Sequence, residues 1–339
     1  MSTAPAHPQA EIARRFLAAE ARWSPLEIGV WLAAFALAFV GRSHHLLFAE
    51  IAVLALFAVS LDLILGYAGI VSLGHAAFFG LGAYAAGILA RAGHGDPLMG
   101  LACAAAVAAA VGFVTSFLVL RGSDLTRLMI TLAVASLLYE AANKLDWLTG
   151  GADGLQGMTV DPILGRFAFD LYGTTAYLYA LSVLFVVVLG LRVLVHSPFG
   201  HALRAIRDNP LRARAVGIPV SRRLIAVYTL AAAVDGVAGA LSAETAGFAS
   251  LDVLDFHRSA EVMLVLVIGG SGRLYGGIVG AIVFRLAQDA LSSITPEYWQ
   301  FWIGLGLVVL VMIGRDRLDV LGRGLLARLL PHRRTEVGA

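Results

Sequence analysis

Cysteine, lysine and charge of either sign are scarce in this chain of 339 residues. Cys103 is the single cysteine, which excludes an intramolecular disulfide and a cysteine-based metal cluster, and we expect no bound metal or cofactor. Lys144 is the single lysine, and it lacks the glycines of a Gly-x-x-x-x-Gly-Lys-Ser/Thr phosphate loop. The chain therefore carries no ATPase site of that type, and any nucleotide energy must come from a partner.

Only 14% of the residues are charged, against about 25% in a typical soluble domain. The hydrophobic fraction is 59%, the mean hydropathy is +0.82, and apolar runs of membrane-spanning length recur along the chain. This composition predicts an all-α polytopic membrane protein with about ten transmembrane segments (8–10), some of them broken by glycines. The predicted segments are 26–41, 46–66, 74–91, 98–120, 128–145, 175–195, 223–247, 258–268, 275–293 and 298–314.

Two glycine-rich stretches interrupt the predicted helices. The first break covers residues 66–75, and the second break covers residues 269–277, directly after a segment too short to cross about 30 Å of hydrocarbon as a straight helix. Helix breaks at corresponding places in two halves of a transporter often mark a substrate path. Small residues also let helices pack closely, and both interpretations stay open here. The predicted topology places both breaks on the same side of the membrane.

Basic residues are distributed unevenly. Residues 192–223 carry seven arginines against one acid, Asp208, whereas the long loop 146–174 carries four aspartates against one arginine. Arginine-rich loops stay on the cytoplasmic side of a bilayer, so both termini are predicted to be cytoplasmic. The predicted parts are a cytoplasmic N-terminal segment 1–25, a transmembrane domain 26–314 with a cytoplasmic loop 196–222 and an external loop 146–174, and a cytoplasmic basic tail 315–339.

The arginine-rich loop has the pattern of a short helix. Pro198 suits the first turn of a helix, and Ser197 before it is a typical N-cap. Leu203 and Ile206 form an apolar edge, with arginines beside it. A helix of this kind can dock on a cytoplasmic protein and move as a rigid lever, although a solvated basic loop that only fixes topology has a similar composition.

Charged side chains within the spans are costly. A charge at the bilayer centre costs at least about 2.5 kcal/mol, so such residues usually face a cavity or a partner. Asp62 and Arg285 border the two breaks, and an ion pair between them is one prediction. Glu140 and Lys144 stand four residues apart on one helix face and are also predicted to pair.

Several stretches resemble the motifs of the LivM-type permeases, the membrane subunits of branched-chain amino acid ABC importers. The resemblance covers about residues 45–315 and departs at Asp62, where the family more often has asparagine. The matching stretches are Gly-Tyr-Ala-Gly-x-x-Ser-Leu-Gly-His at 66–75 with its continuation to 84, Thr-Gly-Gly-Ala-Asp-Gly-Leu at 149–155, Gly-His-Ala-Leu-Arg-Ala-Ile-Arg-Asp-Asn at 200–209, Ala-Val-Gly-Ile at 215–218, Ala-Gly-Ala-Leu at 238–241 and Gly-Gly-Ser-Gly at 269–272.

The resemblance implies a non-enzymatic permease subunit of a bacterial inner membrane. Its expected partners are two cytoplasmic ABC ATPases, a periplasmic substrate-binding protein, membrane lipid, and either a LivH-like permease or a second copy of this chain, with no nucleic acid. It also implies alternating access driven by ATP in the partners. The expected substrate is a branched-chain or related amino acid, with urea or a short amide as the alternative.

Two sets of candidate site residues follow from the resemblance, the breaks and the polar residues of the spans. The predicted ATPase-coupling set is Gly200, Leu203, Arg204, Ala205, Ile206, Arg207, Asp208, Asn209 and Gly217. The predicted translocation-pathway set is Asp62, Ser72, His75, Phe78, Phe79, Thr149, Asp153, Gly270 and Ser271.

Two other functions compete with the importer hypothesis. A proton-driven secondary transporter would use Asp62, Asp235 and Glu244 as a relay, but it would not explain the basic helix-forming loop. A membrane scaffold without transport activity is the third hypothesis. An intramembrane serine protease is excluded because Ser271 is followed by only one histidine, His332 in the tail.

Overall fold

The structure is a computed structural model that describes residues 24–39, 44–122 and 124–313. The predicted tail 315–339 and nearly all of the predicted segment 1–25 lie outside these residues. Within the described ranges the chain is helical, with two isolated β-bridges and no longer strand. The predicted all-α polytopic fold class is therefore confirmed.

A π-helical segment, Leu63–Tyr67, directly continues the second helix. The α-helices, in chain order, are α1 (Pro25–Ala36), α2 (His45–Asp62), α3 (Ala76–Arg91), α4 (Pro97–Val119), α5 (Asp124–Lys144), α6 (Asp146–Thr149), α7 (Thr174–Val195), α8 (Pro198–Asp208), α9 (Pro210–Ala215), α10 (Val220–Ala246), α11 (Phe256–Gly269), α12 (Gly276–Ile294) and α13 (Trp299–Ile313).

Among the described residues, six helices are long and apolar enough to cross a membrane: α2 with its π-helical extension, α4, α5, α7, α10 and α12. α1 and α3 are shorter apolar helices. Each of the ten predicted segments overlaps one of the helices. α10 begins at Val220, earlier than predicted, because its first turn holds Arg222 and Arg223 and hydropathy detects only the apolar part of a helix.

The chain divides into two compact units, Met1–Ile282 and Val283–Ala339. In the first unit α10 is the central helix and packs against α2, α3 and α4. Glycines allow this close approach: a Cβ on Gly82 would collide with the backbone of Gly236, and one on Gly239 would collide with the carbonyl of Phe79. Since lipid tails are as apolar as the side chains, helix association in a bilayer depends on such close packing.

Polar contacts fasten α1 to α7. The Tyr177 hydroxyl on α7 donates to the carbonyl oxygen of Ala34 on α1 at 2.6 Å. Arg192, near the end of α7, forms an ion pair with Glu27 at 2.8 Å, and Glu27 also completes a capping box with Ser24. Both ends of α1 are thereby tied to the bundle.

Two predicted ion pairs have different outcomes. Lys144 Nζ lies 3.7 Å from Glu140 Oε1 on α5, so that prediction is confirmed. The second unit contains the last part of α12, and there Arg285 donates to Gln288 Oε1 at 2.6 Å. A pair between Arg285 and Asp62 stays a prediction.

Candidate functional site

The predicted coupling segment forms two short helices in tandem. Ser197 caps α8 by accepting a hydrogen bond from a backbone N–H two residues ahead at 3.2 Å. Asn209 ends α8 and caps α9, accepting from the N–H of Arg212 at 2.9 Å. Gly200 approaches the end of α7 so closely that a Cβ would collide with Val195. α8 therefore folds back sharply on α7.

The two edges of α8 differ as predicted. Leu203 and Ile206 are buried, and Arg204 is half-buried. Gly217, with a φ of +91°, follows the end of α9. Five members of the predicted coupling set are exposed: Ala205, Arg207, Asp208, Asn209 and Gly217.

Two arginines of α8 contact the first break. Arg207 Nη1 donates a hydrogen bond to the carbonyl oxygen of Gly66, and the guanidinium of Arg204 lies 5.5 Å from the centre of the Tyr67 ring. Gly69 has a φ of +72°, and a Cβ there would lie 2.9 Å from Arg207 Cγ. The first break is thus shaped to receive the Arg207 side chain.

The Gly66 carbonyl belongs to the π-helical segment at the end of α2. Just after this segment, the N–H of Ile70 donates to the Ile64 carbonyl at 2.9 Å and closes the end of the helix. π-Helical turns are rare and occur frequently at functional sites. Here the segment ends the helix and presents a carbonyl oxygen to α8.

Asp62 joins the first break to the second. Its Oδ1 accepts a hydrogen bond from the N–H of Gly272 at 2.6 Å, and its side chain is 1% exposed. Gly272 has a φ of +78°, and a Cβ on Gly66 would collide with Asp62 Oδ1 and with the Gly272 nitrogen. The second break is also held by Arg192, which donates to the Tyr275 hydroxyl at 3.3 Å. The two breaks and α8 therefore meet in one place, which we call the junction (Asp62, Gly66, Gly69, Arg204, Arg207 and Gly272).

A second polar cluster lies at the start of α3. Ser60 Oγ lies 2.8 Å from His75 Nε2, and this nitrogen lies 3.5 Å from Asp235 Oδ2 on α10. All three side chains are at most 1% exposed. Ser60 also donates to the Phe57 carbonyl at 2.7 Å. The cluster links α2, α3 and α10 inside the first unit.

Aromatic rings enclose His75. The Phe57 ring stacks on it with centroids 5.9 Å apart, and Phe78 meets it edge-on at 6.1 Å. Phe79 stacks on Phe57 at 4.7 Å. Phe78 and Phe79 are 2% and 5% exposed, so they are packed in the interior. Their predicted place in a translocation pathway stays a prediction.

The last part of the first break, which leads into α3, is fixed by side chains from distant helices. The N–H of Leu73 donates to Thr131 Oγ1 on α5 at 3.3 Å, and the N–H of Ala76 donates to Ser259 Oγ on α11 at 2.9 Å. Ser72, a predicted pathway residue, is buried in this loop and accepts from the N–H of Gly74 at 3.4 Å.

The remaining predicted pathway residues are divided between the two ends of the bundle. Gly270 is buried and Ser271 exposed in the second break. Thr149 lies at the opposite end, where its hydroxyl donates to the Ala142 carbonyl at 2.6 Å and caps α5. Asp153 is exposed in the same loop, 146–174. Since α10 has 27 residues and rises about 1.5 Å per residue, roughly 40 Å separate these ends.

A cavity of about 390 Å³ lies between α5 and the start of α11, a volume in the usual range of ligand pockets, about 300–1,000 Å³. It combines apolar residues with the carboxylates of Glu140 and Asp255. The N–H of His257 donates to Asp255 at 2.7 Å, and this bond lowers the pKa of the carboxyl below its usual value. The lining residues are Leu132, Ala135, Ser136, Tyr139, Glu140, Leu254, Asp255 and Phe256.

The candidate sets omitted residues that the structure places at these contacts. Gly66 lies in one of the matching motifs but belongs to neither the predicted coupling set nor the predicted pathway set. Thr131 and Ser259 are also in neither set. Thr131 and Ser259 carry hydroxyl groups on helices that have other polar residues, so nothing in the sequence set them apart. No sequence signal identified their backbone partners, because those depend on which helices pack together.

Comparisons with known proteins point to one family. The family model described as branched-chain amino acid transport system, permease component, matches residues 46–312. The chain is 28% identical to the high-affinity branched-chain amino acid transport system permease protein LivM of Escherichia coli K12 over 308 aligned residues, covering 83% of this chain and 69% of the relative. It is 29% identical to LivM of Salmonella typhimurium LT2 over 286 residues, covering 76% and 65%.

Sugar permeases are also similar to this chain. The galactose/methyl galactoside import permease protein MglC of Haemophilus influenzae is 26% identical over 222 aligned residues, covering 63% of this chain and 65% of the relative. The chain spans about two thirds of the length of each of these three relatives. No solved structure shows a significant match.

Proposed function

This chain belongs to the family of branched-chain amino acid transport system permease components, and on that premise we propose that it forms part of the membrane pathway of an ABC importer for branched-chain amino acids. It is a multi-pass inner-membrane permease subunit and not itself an enzyme. The proposed substrate is a branched-chain or closely related amino acid delivered by a periplasmic binding protein. ATP hydrolysis takes place in two partner ATPases that dock on α8 and α9.

The hydrogen bond from Arg207 to Gly66 is the observation that supports this coupling role best. α8 is exposed on one side, where an ATPase can bind, and on the other it contacts the first break directly. Asp62 then connects the first break to the second through Gly272. A displacement of α8 would be transmitted to both broken helices without an intervening flexible segment.

The junction also explains how a small movement can change the pathway. The breaks are short loops held by individual side-chain hydrogen bonds, among them the one from Arg207 to the Gly66 carbonyl and the one from the Gly272 N–H to Asp62. A hydrogen bond to a charged group contributes about 1.5–3 kcal/mol, which is comparable to the free energy by which a ligand shifts a two-state equilibrium. We assign the inward-facing and outward-facing states to two arrangements of this junction.

The LivM relatives and the cavity beside α5 support the choice of substrate. Asp255 and Glu140, the latter also paired with Lys144, can attract the ammonium group of an amino acid, while Leu132 and Leu254 suit an aliphatic side chain. The similarity to a galactose permease favours a sugar as the second candidate, and urea or a short amide stays the alternative from the resemblance. Neither of these carries a charge that matches the two carboxylates.

The complete importer would contain this chain with a LivH-like permease or with a second copy of itself. The arginine distribution supports an orientation with α8, α9 and both termini in the cytoplasm and the loop 146–174 in the periplasm. Family membership counts against the proton-driven transporter. Its proposed relay residues are also engaged with separate partners: Asp62 with Gly272, and Glu244 with Tyr179.

The test is uptake of radiolabelled leucine by the intact importer in proteoliposomes, together with ATPase stimulation by the binding protein. Arg207→Ala removes a charged hydrogen bond worth about 1.5–3 kcal/mol, so both activities should fall at least about tenfold while the complex still assembles. Arg121→Ala is the matched control, because it removes an exposed arginine that is not a junction residue.

Competition separates the substrates within the same assay. Excess isoleucine or valine should suppress leucine uptake, whereas galactose and urea should leave it unchanged. Unchanged leucine uptake with Arg207→Ala would remove the coupling role and leave the substrate assignment intact. Transport of galactose or urea with no transport of leucine would overturn the substrate assignment alone.

A further inference from the structure

A groove runs along the surface of the first unit between α4 and α10. Its volume is about 560 Å³. Alanines form its floor, since Ala226 and Ala233 stand seven residues apart on one face of α10 and Ala109 faces them from α4. Larger apolar side chains form its walls. The complete lining is Ala109, Phe113, Arg222, Ile225, Ala226, Thr229, Leu230 and Ala233.

The groove has the length of one leaflet of a bilayer. Along α10 it extends from Arg222 to Ala233, and eleven residues of α-helix rise about 16 Å. The hydrocarbon core of a bilayer is about 30 Å thick, so one leaflet contributes about half of that. A transmembrane helix of a partner subunit would cross both leaflets and would not be matched by a groove that ends at mid-bilayer.

The only charged residue of the groove stands at its outer end. Arg222 is exposed in the first turn of α10, directly after the polar loop that follows α9, and we place it at the headgroup level for that reason. The neighbouring Arg223 is engaged elsewhere, with its guanidinium 5.0 Å from the centre of the Phe199 ring. An apolar channel with one cation at the headgroup level is complementary to a lipid with an acyl chain and a negatively charged headgroup.

We propose that this groove binds one anionic glycerophospholipid, with an acyl chain along Ala226 and Ala233 and the phosphate at Arg222. The assignment to the cytoplasmic leaflet rests on the proposed orientation, whereas lipid binding itself does not. The cytoplasmic leaflet is the one whose anionic lipids attract basic residues near the membrane surface. The bound lipid would fill the space between α4 and α10, directly beside the loop that leads from α9 to α10.

The test is native mass spectrometry of the full-length chain, purified with whatever subunits accompany it, after exchange into phosphatidylglycerol or phosphatidylcholine. We expect the wild type to retain phosphatidylglycerol about fivefold more strongly than phosphatidylcholine, because one arginine near the membrane surface attracts an anionic lipid by about that factor. Arg222→Gln should abolish this preference, and the matched neighbour Arg223→Gln should keep it.

Filling the groove gives a second, independent measurement. Ala226→Phe should expel both lipids while circular dichroism and assembly stay unchanged, because residue 226 is exposed on the groove floor and not in the helix core. A preference for phosphatidylglycerol that survives Arg222→Gln would overturn the proposal. Displacement of the lipid by inorganic phosphate alone, or by a second permease that seats in the groove, would also overturn it. Leucine uptake is not the readout, so failure here does not affect the proposed function.

Discussion

Asp62 occupies a position where a neutral side chain could make the same contact. Its Oδ1 accepts the N–H of Gly272, and the amide oxygen of an asparagine could accept that hydrogen bond equally well. The LivM-type permeases, which this chain resembles, more often have asparagine at this position. The acceptor atom, rather than the charge, is therefore what the junction needs from residue 62.

Two substitutions of Asp62 distinguish its two possible roles, a structural hydrogen-bond acceptor or a proton carrier. Asp62→Asn should change stability and leucine uptake little, because a neutral hydrogen bond replaces a charged one at a cost of about 1 kcal/mol. Asp62→Ala should be worse in both respects, since it leaves the Gly272 N–H without this acceptor at a cost of about 1–3 kcal/mol. Thermal unfolding and uptake of both variants provide the check.

The proton-relay hypothesis makes the opposite prediction for this pair. A relay needs an ionisable group, so Asp62→Asn would abolish uptake as completely as Asp62→Ala while remaining fully folded. That result would contradict the assignment of Asp62 to the junction.

The buried cluster of Ser60, His75 and Asp235 follows from a general requirement at the residue scale. Polar groups enclosed among apolar side chains are costly unless they find polar partners. Asp235 lies on a long apolar helix, and the polar groups within its reach come from α2 and α3. The cluster therefore fixes how these three helices face one another.

At the scale of elements, the π-helical segment Leu63–Tyr67 is the piece that connects α8 to the membrane helices. A continuous α-helix would use the Gly66 carbonyl for its own ladder. Because the helix widens and ends here, that carbonyl is available to Arg207 instead. α8 can act as a lever because it is rigid, is capped at its N-terminus by Ser197 and contacts this segment directly.

A hydrogen bond between α7 and α10 is a measurable link between elements. The Tyr179 hydroxyl donates to Glu244 Oε2 at 2.7 Å, and Gly100 on α4 leaves room for that carboxylate. A double-mutant cycle with Tyr179→Phe and Glu244→Met, each of which removes one partner of the hydrogen bond, should give a coupling energy of about 0.6–1.7 kcal/mol in thermal or denaturant unfolding, the range found for hydrogen bonds within membrane proteins.

The neighbouring Thr245 supplies the control for this cycle. Its hydroxyl donates to the Leu241 carbonyl within α10, so Tyr179→Phe and Thr245→Val should have additive effects. Additive effects of Tyr179→Phe and Glu244→Met as well would mean that this contact contributes nothing to the packing of α7 on α10.

For the whole molecule, orientation in the membrane decides which face meets the ATPases. α8 and α9 lie at the end of the first unit that carries the second break, whereas the loop 146–174 lies at the other end, where the N–H of Leu155 donates to the Ala249 carbonyl at 2.7 Å. The positive-inside rule assigns the arginine-rich end to the cytoplasm.

The single cysteine makes this orientation easy to test. In a Cys103→Ala background, Arg212→Cys on α9 should react with a membrane-impermeant maleimide only after the cells are opened. Leu171→Cys, at a position that is 98% exposed in the external loop, should react in intact spheroplasts. The reversed labelling pattern would invert the proposed topology and move Arg222 to the other leaflet.

Much of the architecture was predictable from the sequence because its signals are local. Apolar runs predicted ten membrane segments, and each of them overlaps a helix of the structure. Ser197 and Pro198 correctly indicated the start of α8. The resemblance at 66–84 and 200–209 identified the family that the comparisons then confirmed. These features depend on hydropathy, capping and motif identity within a few residues of one another, so they are present before any helix has packed.

The junction could only be decided by the tertiary structure. Arg207 stands 141 positions from Gly66, and Gly272 stands 210 positions from Asp62. A sequence shows that an arginine or an aspartate needs a partner, but several carbonyls and N–H groups near a helix break can satisfy it equally well. Which one does so depends on how closely α2, α8 and the second break approach, and that approach is set by the glycines at 66, 69 and 272 once the helices are packed.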